Sequence, residues 1–125
     1  MPMAKFKYLN VNPKGIRESD CVCRAITLAS GLPYDDVKEK LHLVGKLYQC
    51  PSLCVGCYRH LIENILGYKP ISGEGLYPGE FADIHFTGKY LLRMNGHILT
   101  CIDNTIYDIF DSRYSGMVTD AWKVD

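Results

Sequence analysis

Apolar positions recur at helical spacing through the first half of the chain and in short strand-like runs through its last third. Residues 19–30 predict a first helix, with Ser19 or Asp20 as its cap and Gly31 after its last turn. Pro33 restarts the chain. Residues 34–48, "YDDVKEKLHLVGKLY", predict a second helix, with Asp35 and Asp36 near its positive end. A third runs from about Ser52 and stops at Gly67. Residues 72–80 are loop, and "EFADIHF" holds a short helical turn. Residues 5–10 predict a short strand, broken by "VNPKG". Later strands are predicted at 88–94, 97–102 and 105–110, with "MVTDAWKV" as a fourth. Helices first and antiparallel strands after them is the pattern of an α+β fold.

The "DN" between the second and third of these runs is a tight-hairpin signal. With Asp103 and Asn104 as the turn, Ile102 faces Thr105, Leu99 faces Asp108 and His97 faces Phe110. Strand alternation then gives His97, Leu99, Cys101, Ile106, Asp108 and Phe110 one face, with His97 and Asp108 as diagonal neighbours. Asp111 falls on the other face.

Composition narrows the class. The 125 residues suffice for one domain, 1–125, and 47% hydrophobic with 22% charged residues fits a globular chain. Fourteen basic residues balance fourteen acidic ones and are scattered, which argues against a nucleic-acid partner. No apolar run approaches a membrane span. "MPMAKFKYLN" has no signal-peptide core, so a reducing cytoplasm is expected, with the six cysteines as thiols or ligands instead of disulfides.

Two of those cysteines open the first helix, in "SDCVCRAITLASG". At 100° per residue, Val22, Ala25, Ile26, Leu28 and Ala29 make one broad apolar arc. Cys21 lies on its edge, whereas Cys23 falls about 120° from its centre. A helix start stabilises a thiolate and an oxyanion alike, so Cys21 has the better position for a nucleophile. Asp20 opposes this unless its charge is engaged elsewhere. The hairpin would supply the rest: His97 as base, and Asp108 to fix its tautomer.

"SDCVCRAITLASG" followed by "GHILTCIDNTIYDIFDSR" resembles the papain-like cysteine peptidase superfamily, and most of all its small members from bacteriophages and bacteria. The matching residues are Asp20-Cys21, Arg24-Ala25, Gly96-His97 and Tyr107-Asp108-Ile109-Phe110-Asp111, about a third of the chain. The resemblance implies a minimal papain-like domain with helices packed on a short antiparallel sheet. It implies Cys21 as nucleophile, His97 as base and acid, and Asp108 as orienter, without a cofactor. Papain has Asn in the third role, followed after one residue by Trp, which Asp108 and Phe110 parallel. In transglutaminase-like relatives the Asp closes the strand, which favours Asp111. Papain also carries a Gln before its Cys to complete the oxyanion hole. No Gln precedes Cys21, and Asn10, Asn12, Lys14 and Ser19 are the donors available.

"CPSLCVGCYRH" offers a competing chemistry, because Cys50, Cys54, Cys57 and His60 match the ligand preference of structural zinc. The same 54/57/61 stripe is also what a core-facing helix presents, and core thiols are the preferred reading. The nine tyrosines fit either a substrate groove or ordinary packing. The expected function is thiol-dependent hydrolysis of a peptide or isopeptide bond in a protein or peptide substrate, in the cytoplasm of a bacterial or virus-infected cell. The alternatives are another acyl transfer on the same triad (transglutaminase-like or cell-wall amidase) and a non-catalytic papain-like or zinc-stapled interaction module.

Overall fold

The computed structural model describes residues 3–17, 19–49 and 55–124, without the side chain of Cys57. Its elements run β1 (Lys5–Tyr8), α1 (Cys21–Ser30), α2 (Tyr34–Tyr48), α3 (Val55–His60), β2 (Lys69–Ile71), α4 (Pro78–Ile84), β3 (Lys89–Met94), β4 (His97–Ile102), β5 (Thr105–Asp108) and β6 (Val118–Lys123). Leu61–Ile65 continues α3 as a wider π-helical turn. The fold is α+β, as the order of helical and strand-like runs indicates. Among the described residues no helix is long and apolar enough to cross a membrane.

The β4–β5 hairpin forms in the expected register, with Ile102 opposite Thr105 and Cys101 opposite Ile106. Asp103 and Asn104 both take left-handed backbone, φ 47° and 63°, the turn that matches strand twist. Asn104 is buried and donates from Nδ2 to Ala82 O (3.0 Å) and Asp83 Oδ1 (2.8 Å), which ties the turn to α4.

One sheet of six strands results, in the order β1-β5-β4-β3-β6-β2. It is not wholly antiparallel as expected. β1 lies parallel to β5, with Lys5 beside Thr105 and Tyr8 beside Asp108. A parallel pair requires a long crossover, and nearly the whole chain intervenes here. β2 went unpredicted because it is three residues long with Pro70 in the middle, a composition tolerated at a sheet edge.

Both faces of the sheet are covered. Helices α1, α2 and α3 bury Val22, Ile26, Val37, Leu61 and Ile62 against Leu91, Ile98 and Trp122. On the opposite face α4 buries Phe81 and Ala82 against Leu92, Leu99, Cys101 and Ile106. Burial of each large side chain contributes about 1.5–3 kcal/mol, so the two cores fix the sheet and the helix starts above it.

The helix α1 is buried more widely than one apolar arc requires. Cys23 and Arg24 are buried along with Val22, Ala25, Ile26 and Ala29. Wedging between the sheet and α2 is the reason. Thr100 Oγ1 donates to Ala25 O at 2.8 Å on the sheet side. The Cys23 thiol approaches Tyr34 O at 3.5 Å on the α2 side. Gly31 closes the helix in left-handed backbone, φ 75°, its N–H bonded to Thr27 O.

Candidate active site

The start of α1 meets the start of β4. Cys21 is the first residue of the helix and remains partly exposed. Asp20 occupies the cap position, but its side chain does not cap. Its carboxylate instead accepts from Arg24 Nε (2.6 Å), Tyr34 OH (2.7 Å) and Asn12 Nδ2 (3.0 Å). This has two consequences at Cys21. The negative charge beside the thiol is balanced by Arg24, and no capping side chain competes for the N–H groups of the first turn, which attract negative charge.

His97 opens β4 and sits against Cys21. Its Nε2 donates to Asp108 Oδ2 at 2.5 Å. That leaves Nδ1 as the ring nitrogen for the thiol, the tautomer a base at Cys21 needs. Residues further along β4 follow alternation. Leu99 and Cys101 enter the core beneath α4, and Ile98 and Thr100 face α1. His97 and Asp108 are at strand ends, where the side chains depart from that alternation and meet α1. The single shared face expected for His97, Leu99, Cys101, Ile106, Asp108 and Phe110 therefore holds only for Leu99, Cys101 and Ile106.

Asp108 is buried and fully engaged. Oδ2 also accepts from Ser112 Oγ at 2.6 Å. Oδ1 accepts from the Ile109 N–H at 2.8 Å and faces Arg24 Nη1 at 3.4 Å. Asp111, the alternative orienter, is exposed and bonded to Arg113 at 2.9 and 2.8 Å. It makes no contact with His97 among the described residues. Phe110 packs its ring 5.1 Å from the His97 ring, on the cleft side.

The electrostatics follow from these contacts. Burial alone would raise the Cys21 pKa, but the His97 hydrogen bond and charge, then the Ile98 backbone N–H and the Arg24 charge, bring it below its ordinary 9.0. Burial would lower the His97 pKa, but the bonds to Asp108 and Cys21 outweigh it and raise it to about 9. Burial would raise the Asp108 pKa, and His97, Ser112 and the Ile109 N–H hold it below 3.8. All three shifts favour a thiolate–imidazolium–carboxylate chain. Cys23 differs: burial pushes its pKa up to about 11.

Cys21 and His97 line a cavity of ≈ 350 Å³, which Ser19 also borders. Of the candidate oxyanion donors, Ser19 is the one that reaches the cavity. Asn10 donates to Ile16 O, Asn12 to Asp20, and Lys14 is exposed with its N–H bonded to Asn12 Oδ1. Among the tyrosines, Tyr58 lines the cavity, and Tyr34 acts behind it by donating to Asp20.

Cys50 and Cys54 of the alternative zinc set lie outside the described residues, as does the side chain of Cys57. His60 is placed against Tyr48 and Asn64, which approach its Nδ1 at 3.0 and 2.8 Å. Among the described residues no three His, Cys, Asp or Glu are grouped to hold a metal.

Sequence reasoning did not find the partners of Arg24, Ser112 and Tyr34. The i,i+4 spacing of Asp20 and Arg24 was a usable signal for their ion pair. The Arg24–Asp108 and Asp20–Tyr34 contacts span 84 and 14 positions and leave none. Comparison of the chain with protein-family models, curated proteins and solved structures finds no match.

Proposed function

We propose that the chain is a thiol-dependent hydrolase of peptide or isopeptide bonds, of papain-like type, acting through Cys21, His97 and Asp108. The observation that carries this reading is the contact chain at the cavity wall: a thiol at a helix start, an imidazole against it, and a buried carboxylate 2.5 Å behind the imidazole. The order of nucleophile, base and orienter along the chain supports the same reading.

The Cys21 thiolate attacks the substrate carbonyl carbon, and the carbonyl electron pair moves onto oxygen. First-turn N–H groups of α1 receive that oxyanion, with Ser19 on the cavity wall as a side-chain donor. His97, cationic at this point, passes its proton to the departing amine as the C–N bond breaks. The now neutral ring takes a proton from water, which attacks the thioester, and the carboxylic acid leaves as the Cys21 thiolate returns. Asp108 keeps the ring oriented and its charge balanced throughout. No cofactor takes part, and the substrate is a peptide or protein. A free thiolate needs reducing conditions, which fits a cytoplasmic setting.

Two pH profiles test this. Cys21 alkylation by iodoacetamide, mapped by mass spectrometry, should rise with pH at a midpoint below that of an ordinary thiol. Cleavage of a randomised pool of internally quenched peptides should share that acidic limb but fall as pH rises through about 9, where His97 loses the proton it gives the leaving group. Cys21→Ala should abolish cleavage. An alkylation profile with an ordinary thiol pKa at Cys21 would overturn the reading.

A further inference from the structure

The cavity beside the triad has a charge bias that the hydrolytic chemistry does not require. Besides Cys21 and His97, the charged side chains on its wall are Arg24 and Arg93. Among the described residues no Asp or Glu lines it. The rest of the wall is mainly apolar, with Val55, Tyr58, Ile98 and Phe110.

The two arginines are not equivalent. Arg24 is answered by two buried carboxylates, Asp20 and Asp108. Arg93 has one, and shares it. Asp120 Oδ2 accepts from Arg93 Nη1 at 2.8 Å while its Oδ1 accepts from Arg59 Nη2 at 2.9 Å. Arg93 Nε donates to Tyr58 OH at 2.8 Å, and Nη1 also donates to Thr119 Oγ1 at 2.8 Å. These bonds fix the guanidinium plane, and Nη2 is left without a partner among the described residues. Arg59, with Glu63 and Glu74, belongs to a separate cavity of ≈ 160 Å³ past Asp120. Arg93 is thus a rigid, incompletely neutralised cation with a spare donor on the wall of the triad cavity.

We propose that this cavity selects substrates carrying a carboxylate beside the scissile acyl group, which Arg93 Nη2 binds while the apolar wall holds the intervening chain. This deepens the peptidase reading and rests on it. A guanidinium held by other bonds loses little freedom on accepting a carboxylate, which favours arginine for this task. The carboxylate belongs to an acidic side chain or to a chain terminus, two sources with one chemistry.

Matched alkylating probes separate the possibilities. N-bromoacetylglycine and its amide differ only in a terminal carboxylate. N-bromoacetylglutamate α-amide and the glutamine analogue differ only in a side-chain one. In each case Cys21 sulfur displaces bromide, so the readout is the acid-to-amide rate ratio at Cys21, divided by the same ratio for free glutathione. Wild type should give a normalised ratio of about 5 for at least one pair, and the pair with the larger ratio identifies the source. The excess should shrink at 1 M salt, where screening acts within about 3 Å. Arg93→Gln should bring the ratio near 1, and Arg93→Lys should restore part of it. Asp120→Asn, which removes the competing anion, should raise the ratio, an outcome no misfolded protein would give. A wild-type ratio near 1 for both pairs overturns the carboxylate preference, as does an excess that survives Arg93→Gln. If Cys21 reacts with every probe along the pH profile of an ordinary thiol, the thiolate reading itself fails and takes this inference with it.

Discussion

Cys21 and Cys23 lie two residues apart on one helix, and their thiols shift in opposite directions. Cys21 faces the cleft where α1 meets the start of β4, and its pKa falls below 9.0. Cys23 fills the seam between α1 and α2 at 5% exposure, and burial pushes its pKa up to about 11. Burial opposes the thiolate at both places, and both residues are in the first turn of the same helix. A helix start is therefore not what separates them. Cys21 has an imidazole held in place by a buried carboxylate, whereas the Thr27 and Tyr34 hydrogen bonds to Cys23 do not offset its burial. Cys101, buried in the other core near the Asp103 charge, goes the way of Cys23, to about 12.

Removing the imidazole should narrow that difference, with the largest effect of any single change. In His97→Ala the Cys21 pKa should rise, because burial then acts without the imidazole that offsets it, and Cys21 alkylation at pH 6 should fall by more than about tenfold. Cys21 would then differ from Cys23 by its greater exposure, the Ile98 N–H and the Arg24 charge. Circular dichroism should show the fold intact, because the His97 ring is at a strand end beside the cavity and outside both cores. Unchanged Cys21 alkylation in this variant would mean that the helix start, and not His97, activates the thiol.

A smaller effect is expected one step further from sulfur. Asp108→Ala leaves His97 free to turn and removes the charge that keeps it protonated, so Cys21 alkylation at pH 6 should fall by about tenfold. Asp108→Asn keeps an oxygen to accept from Nε2 and should lose less. The two should also differ from wild type in stability against pH. His97 is raised from 6.5 to about 9 in the folded chain, so its pairing contributes fully below pH 6.5 and is lost as pH rises through about 9. Asp108 is lowered from 3.8, so its contribution is present above pH 3.8 and is lost as pH falls through its depressed pKa. Urea midpoints of wild type should therefore drop toward pH 9 more than those of Asp108→Ala, which loses the larger of the two partners that raise His97. Parallel curves for the two proteins would show that the pair is not coupled. Asp108→Ala should also cost about 3 kcal/mol at neutral pH, because it takes one of two carboxylates from the buried Arg24.

How much of this arrangement the sequence discloses depends on how far each partner lies along the chain. The β4–β5 register could be worked out from two turn residues, and it set Leu99 opposite Asp108, so His97 and Asp108 could be paired in advance. The first helix could likewise be read over 19–30 from Ser19 or Asp20 and Gly31, although it starts at Cys21 and the Asp20 side chain does not cap it. The environment of Cys23 could not, because one helical wheel reports one apolar face and α1 is gripped by both the sheet and α2. For the same reason Arg24, a long polar residue by type, gave no sign that it would be buried against Asp108. The parallel β1–β5 pair was hidden too: nothing local in "KFKY" says which strand it will join. Departure of His97 and Asp108 from strand alternation is a property of strand ends, where no neighbouring pair holds the side chain perpendicular to the sheet. Parity predicted the right partner here for a contact made on the other side.

The smallest expected effect tests whether that partner was rightly chosen. Asp111 follows Asp108 by three residues and is the same residue type, but its surroundings are those of a surface residue. Its side chain is 46% exposed and pairs with Arg113, which is itself anchored to Ala4 O at 2.9 Å. An exposed pair of this kind contributes little, since solvent screens it and Arg113 keeps its other bond. Asp111→Ala should therefore change Cys21 alkylation at pH 6 by less than about twofold and leave Cys23 protected. The measurement is the same mapped alkylation, run beside Asp108→Ala at equal protein and reagent. If Asp111→Ala matched or exceeded the loss in Asp108→Ala, the carboxylate behind His97 in the working protein would be Asp111. The segment after β5 would then have to rotate to bring it there, breaking the Ser112 and Ile109 bonds to Asp108. Those two bonds, both short and buried, are the physical reason to expect that it does not.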